Sequence, residues 1–319
     1  MVGSVLALLC PGQGSQTPGF LDPWLELPAA RDALTRLSEA SGIDLVAHGT
    51  TSDAETIRDT AIAQPLIVAA GLAAAEVLLD DAQARAAVGA ICGHSVGEIT
   101  AAGIAGVLTP SEAIVLVRER GSAMAQASAV QPTGMSAVVG GDPAAVAEAL
   151  ERHGLTPANM NGGGQVVAAG TMEQLSALEQ DAPARSRVIP LSVAGAFHTE
   201  HMRPAVAHLD ACVRASDPQD PWAPLISNRD GQAVDDGAQV LSRIVDQVAR
   251  PVRWDQVMET LLAMGVTALI ELPPAGTLVG LAKRGMKGIP SIAVKTPDDL
   301  EAARALLAEH GATSSAASS

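Results

Sequence analysis

Short apolar runs alternate along the chain with longer stretches whose apolar residues recur at three- and four-residue spacings. Val2–Leu9 reads as a strand, Thr60–Leu79 as a helix and Val88–Cys92 as a second strand, and helical spacing then runs to about Gln126. That alternation predicts α/β layers on a mainly parallel sheet. Between Gly134 and Val193 the pattern changes. Met135–Val139 (strand), Pro143–His153 (helix), Leu155–Met160 and Gln165–Ala169 (strands), Met172–Glu179 (helix) and Arg187–Val193 (strand) give the order βαββαβ. This order predicts a ferredoxin-like small subdomain inserted into the larger unit. Alternation resumes with a helix from Thr199, a strand over Thr267–Leu272 and a closing helix near Asp298–His310. The expected division is a large subdomain over 1–128 and 194–310, a small one over 129–193, and a loose tail over 311–319.

The Val88–Cys92 strand runs into Gly93-His94-Ser95-Val96-Gly97, a GxSxG pattern, and the helical run Glu98–Leu108 follows. Strand, glycine-flanked serine and helix form the setting of a nucleophile elbow, whose sharp turn needs residues without a Cβ. The larger unit is therefore expected to be α/β-hydrolase-like. Ser95 would stand at a helix N-terminus, where free N–H groups and the dipole favour developing negative charge. The alternative is a serine N-cap in a glycine-rich turn. A second such turn, Pro11-Gly12-Gln13-Gly14-Ser15-Gln16, follows the first strand and lies beside the elbow if the two strands are neighbours. The Gln13 N–H would then be a second oxyanion donor besides that of Val96, the residue after the serine. An ordinary tight turn is the competing reading. Thr17 occupies the third-glycine position of a dinucleotide fingerprint, which rejects that motif.

One charge sits on the wrong face of its helix. Ala113, Leu116, Val117, Arg120 and Met124 fall on one stripe of the Ser111–Gln126 helix, so Arg120 points inward with the apolar residues. A guanidinium does not lose its proton, so a buried one needs a carboxylate, a phosphate or dense hydrogen bonding. An internal salt bridge and a bidentate pair with an anionic substrate near Ser95 both satisfy that need. Seven histidines compete for the role of general base. His198, in Gly195-Ala196-Phe197-His198-Thr199, lies where the insert ends and a helix begins, a junction facing the cleft. His94 is on the turn itself and should diverge from Ser95. His198 and His201 have neither an HExxH pattern nor a cysteine partner, so no metal is expected. No acidic residue is marked as a third triad member.

Composition narrows the chemistry further. Phe 2, Trp 3 and Tyr 0 leave a core of Ala, Val, Leu and Ile and argue against aromatic cages or base-stacking platforms. Twenty Lys+Arg against 35 Asp+Glu give a net charge of −15, which argues against nucleic acid and anionic membranes as partners. Cys10, Cys92 and Cys212 form neither a disulfide framework nor a CxxC pattern, and a reducing cytoplasm fits them best. The N-terminus has no Lys or Arg before Arg31, unlike a signal peptide. The apolar stretch Ala63–Leu79 is broken by Gln64, Pro65, Gly71 and Glu76 and is expected to fall short of a transmembrane span.

Six ordered motifs then carry a resemblance that spans essentially the whole chain. PGQGSQ, GHSVGE, RERGSAM around Arg120, ANMNGGGQ in the insert, GAFHTEHM at His198 and QVARPVRW at Gln247 together resemble the malonyl-CoA:acyl carrier protein transacylases. The resemblance implies Ser95 as the acylated nucleophile, His198 as its base, Arg120 as the malonyl carboxylate ligand, and Gln13 and Val96 as oxyanion donors through their N–H groups. It further implies that the main-chain carbonyl of Gln247 orients His198, with no need for its side chain, and that Asn161 and Gln165 line the cleft. Phe197 resembles the malonyl-selective members. Gly162-Gly163-Gly164 departs from a common Ser-Pro in the insert, and Leu272-Pro273-Pro274-Ala275-Gly276 departs from a common Gly-Pro-Gly form. The implied substrates are malonyl-CoA and holo acyl carrier protein, with no cofactor, in fatty-acid and polyketide synthesis, by a monomer. Because such carriers are acidic, a local basic patch is needed, for which Arg250, Arg253, Lys283, Arg284 and Lys287 are candidates. A serine esterase or thioesterase, and a non-catalytic carrier-binding protein, are the rival readings.

Overall fold

The computed structural model describes residues 5–314. Strand β1 (Val5–Cys10) is followed by helices α1 (Pro28–Ser41), α2 (Leu45–Thr50), α3 (Thr60–Leu78) and α4 (Ala82–Ala86). Strand β2 (Val88–Gly93) leads into α5 (Gly97–Ile104) and α6 (Pro110–Ser128). The middle segment comprises β3 (Thr133–Gly140), α7 (Pro143–Arg152), β4 (Thr156–Gly162), β5 (Gln165–Thr171), α8 (Met172–Gln180) and β6 (Ser186–Pro190). The chain continues through α9 (Arg203–Val213), β7 (Leu225–Ile226), β8 (Ala233–Val234), α10 (Gly237–Gln247) and α11 (Trp254–Ala263). It closes with β9 (Val266–Glu271), α12 (Thr277–Gly285), β10 (Ser291–Ala293) and α13 (Leu300–Ser314).

Two sheets organise these elements. The larger has the order β10-β9-β1-β2-β7-β8 and is parallel except for the β7–β8 pair. β1 lies at its centre and carries only apolar residues, buried from Leu6 to Cys10, as a strand covered on both faces must be. β1 and β2 are neighbours in register Cys10↔Gly93, so the two glycine turns that follow them stand side by side. The smaller sheet, β4-β5-β3-β6, is antiparallel throughout. A bridge between Asn159 and Val252 ties its edge to the segment after α10.

Local chemistry explains where the site-bearing elements begin. Thr109 and Glu112 form a capping box around Pro110 and fix the start of α6. Glu271, the last residue of β9, accepts from the N–H groups of Leu278 and Val279 at 3.0 and 2.8 Å and so anchors the N-terminus of α12. Several expectations need correction. The helical run from Glu98 stops at Ile104 rather than Leu108, because the chain reverses at Gly106 with φ +81°. The helix expected from Thr199 starts as a 3₁₀ turn, Glu200–Met202, capped by the Thr199 side chain. The last small-sheet strand ends at Pro190 instead of Val193. Residues Gly311–Ser314 continue α13, so the tail does not start at 311; the rest of it, 315–319, lies outside the described residues, as does the expected strand start at Val2. Thr60–Leu78 is by length and composition apolar enough to cross a membrane despite the polar breaks, but 83% of its most apolar 18-residue window is buried inside the protein, as in a core helix.

Candidate active site

The elbow is built by close backbone approach. A Cβ on Gly97 would stand 2.1 Å from the carbonyl oxygen of Cys10, and one on Gly93 would stand 2.0 Å from the carbonyl of Gly97. Only glycine lets β1, β2 and α5 converge here. Ser95 is held at φ +55°, a left-handed conformation that non-glycine residues avoid. It sits in a cleft of about 210 Å³ together with Gln13, Val96, Asn161, Gln165, Phe197 and His198. The expected set is therefore brought together, with Arg120 reaching Ser95 from α6 and Gln247 standing behind His198.

His198 is 3% exposed, and its Nε2 lies 2.8 Å from Ser95 Oγ. Its Nδ1 lies 3.0 Å from the carbonyl oxygen of Gln247, which can only accept. The proton therefore belongs on Nδ1, and the Nε2 lone pair faces the serine hydroxyl. Both ring nitrogens are thus engaged in hydrogen bonds. Burial pushes the imidazole pKa down to about 3, and the nearby Arg120 charge adds to that shift. His198 also has positive φ, +62°, and its own N–H donates to the carbonyl of Val248 at 3.1 Å. The Gln247 side chain is buried too, and its Nε2 donates to the carbonyls of Arg250 and Pro251, both at 3.2 Å. It fixes the turn that presents the orienting carbonyl, a role the sequence did not mark.

Arg120 is 2% exposed. One guanidinium nitrogen donates to Gln64 Oε1 at 2.7 Å and the other to Ser95 Oγ at 3.3 Å. Among the described residues it forms no ion pair, so the internal salt bridge weighed above is not made. Burial lowers its pKa to about 10, opposed by attraction to Glu98, so it keeps its charge at neutral pH. The donors expected of Gln13 and Val96 are also open, since among the described residues neither backbone N–H reaches a protein acceptor. His94 turns away from Ser95, as expected, and its Nε2 lies 2.9 Å from Asn161 Oδ1. Gly162, Gly163 and Gly164 all adopt positive φ in the β4–β5 hairpin, which is why the departure from Ser-Pro still delivers Asn161 and Gln165 to the cleft.

Two residues escaped the sequence reading. Gln64 was visible only as a polar break in an apolar helix, yet it is the amide that holds Arg120. Asn228 follows the two-residue strand β7, too short to show a period, and its Oδ1 accepts from the Ser95 N–H at 2.7 Å. Elsewhere Glu119, His208 and Cys212 bring ligand-type atoms within 4.8 Å of one another on the α6–α9 surface. There His208 pairs with Glu119 at 2.8 Å.

Comparison with known proteins gives the family. The acyl transferase domain family model matches residues 7–311. A Mycobacterium tuberculosis protein named malonyl CoA-acyl carrier protein transacylase is 50% identical over 297 residues, 93% of this chain and 98% of its own. The crystal structure of MCAT from the same organism matches with TM-score 0.91 at 50% identity, covering 94% of this chain and 99% of that one. A malonyl-transacylase solved in complex with a type II PKS acyl-carrier protein matches with TM-score 0.87 at 29% identity, covering 95% of this chain and 100% of that one. With its matched length, its cleft and its fold, the chain belongs to the acyl transferase domain family, among the malonyl CoA-acyl carrier protein transacylases.

Proposed function

We propose that this enzyme moves a malonyl group from malonyl-CoA to the phosphopantetheine thiol of an acyl carrier protein through a malonyl-Ser95 intermediate. His198 Nε2 takes the Ser95 proton as Oγ attacks the thioester carbonyl, and the resulting oxyanion lies against the N–H groups of Gln13 and Val96. The C–S bond breaks, the Nε2 proton passes to the coenzyme A thiolate, and the acyl-serine remains. The carrier thiol then gives its proton to His198 and attacks the acyl-serine, and Ser95 recovers its proton as the new thioester forms. The observation that carries this reading is Arg120: a buried guanidinium 3.3 Å from the serine oxygen, without a carboxylate partner among the described residues. A malonyl carboxylate supplies that partner, whereas an acetyl group does not. Esterase chemistry gives such a charge no task.

The reading calls for no cofactor and sets the work in the cytoplasm, in a monomer that serves fatty-acid carriers, with polyketide carriers as the alternative. The strand order β6-β3-β5-β4 supports a ferredoxin-like small subdomain over 129–193, set into an α/β-hydrolase-like large one. For carrier docking the five basic candidates separate. Arg253 is bound to Asp255 at 2.9 Å and Arg250 lies 3.6 Å from Asp246, which leaves Lys283 and Arg284 in the last turn of α12, the helix whose Thr277, Leu278 and Leu281 line the cleft, and Lys287 just beyond it. The decisive experiment is intact mass after malonyl-CoA treatment. The parent is expected to gain one malonyl group and to lose it to added holo carrier, and Ser95→Ala to gain none. An equal gain in Ser95→Ala would remove the nucleophile assignment.

A further inference from the structure

Beneath the elbow lies a buried pair that the reaction scheme above leaves unused. Asn228 is 0% exposed and all four of its polar groups are engaged. Its Oδ1 accepts from the Ser95 N–H at 2.7 Å, and its Nδ2 donates to the Gly93 carbonyl at 2.7 Å. Its own N–H donates to Glu98 Oε1 at 2.8 Å, and its carbonyl accepts from the Arg253 N–H at 2.8 Å. Glu98 lies on the first turn of α5, is buried, and has no partner for Oε2 among the described residues. The amide thus grips the peptide groups on both sides of His94, and the carboxyl of the helix that follows holds the amide.

We infer that Asn228 and Glu98 are positioning residues for acylation, bracing Ser95 in its left-handed conformation so that its hydroxyl faces His198 and the Val96 N–H faces the oxyanion. The inference rests on Ser95 being the acylated residue. A non-glycine residue at φ +55° relaxes unless its surroundings hold it, and holding it takes hydrogen bonds on the flanking peptides. The Asn228 bonds are there, in a buried place where water cannot replace them. By occupying the Ser95 N–H, Asn228 also leaves Val96 as the elbow's open donor. Burial raises the Glu98 pKa to about 8, so the neutral carboxyl is the form present at pH 7, and an amide should replace it.

The test separates positioning from stability. Asn228→Ala, checked for native circular dichroism, is expected to keep the malonyl-CoA KM within about threefold while kcat for acylation falls about 10²- to 10³-fold, the loss typical of a misplaced oxyanion donor. An unchanged kcat in the folded variant overturns the inference. Asn228→Asp covers the case in which the alanine variant does not fold. Protonated, it accepts from Ser95 and donates to Gly93; ionised, it turns a negative charge on the Gly93 carbonyl. The charged groups around Glu98 are Arg120, Arg243 and Asp230, and burial beside Glu98 raises a new carboxyl there. Acylation by Asn228→Asp is therefore expected to be faster at about pH 5.5 than at about pH 7.5, while the parent stays flat. Equal rates at the two pH values overturn the inference. Glu98→Gln should match the parent and Glu98→Ala should lose kcat; equal impairment of both removes Glu98 from the brace. Peptide mapping of the malonyl group in the parent keeps the two readings apart. A label away from Ser95 ends the nucleophile assignment, whereas a label on Ser95 with an unaffected Asn228→Ala ends only the brace.

Discussion

At the residue scale the site depends on two side chains held in opposite electrical states. His198 is kept neutral by burial and by the Arg120 charge, and Arg120 keeps its charge because its pKa, lowered to about 10 by burial, still lies well above neutral pH. A bound carboxylate would cancel the second cause of the His198 shift, making the imidazole a stronger base once substrate is in place. Free enzyme thus carries a neutral base throughout the ordinary pH range, and kcat/KM for acylation should be flat from about pH 5 to about pH 8. A limb with its midpoint near the unperturbed histidine value of about 6.5 would contradict this. Stability should behave differently. The folded pKa lies near 3, below an unfolded value of about 6.5, so the stability that His198 contributes is complete above the unfolded value and is lost as pH falls from there toward 3. Urea midpoints should fall over that window, less steeply in His198→Gln. Arg120→Ala should lower the malonyl-to-acetyl preference by at least about 10²-fold, since a charge pair in a dry site is worth about 3–5 kcal/mol when one partner is removed. Competing acylation by the two thioesters, read by mass, measures that ratio.

At the scale of elements, the site is a consequence of adjacency. The β1–β2 pairing sets Gln13 beside Ser95, the α3–α6 packing sets Gln64 against Arg120, and the loop after α10 sets Gln247 behind His198. None of these partners is near the other in sequence. At the elbow a Cβ on Gly97 would stand 2.1 Å from the Cys10 carbonyl oxygen, so Gly97→Ala must push α5 off β1. Overpacking of this kind costs about 1–3 kcal/mol, and the displaced elbow should stop acylation. A urea midpoint equal to the parent's, or a retained acylation rate, would show that α5 gives way more easily than a 2.1 Å approach allows.

For the whole molecule, charge is the governing quantity. A net charge of −15 opposes an acidic carrier at long range, screened beyond a Debye length of about 8 Å. Productive encounter then rests on local cations, and Lys283 and Lys287 make no ion pair or hydrogen bond among the described residues. Lys283→Glu with Lys287→Glu should raise the carrier KM several-fold and weaken its dependence on salt, while formation of the acyl-enzyme from malonyl-CoA is unchanged. A carrier KM equal to the parent's at low salt would move docking elsewhere.

Periodicity by itself determined the alternation of strands and helices, the βαββαβ order of the middle segment, the inward face of α6 and the strand–turn–helix around Ser95. These are local properties, written in side-chain spacing of 2 or about 3.6 residues and in glycines at turns. Two- and three-residue strands such as β7 and β10 carry too few positions for a period, so Asn228, one residue beyond the segment Leu225–Ser227, gave no signal. Tertiary structure alone decided which partners Arg120 found, an amide and a serine rather than a carboxylate, while the main-chain carbonyl beside His198 was implied by the resemblance and not by periodicity. Any buried polar group demands a partner, and its own sequence states that demand. Which group answers it depends on which distant segment the fold packs alongside.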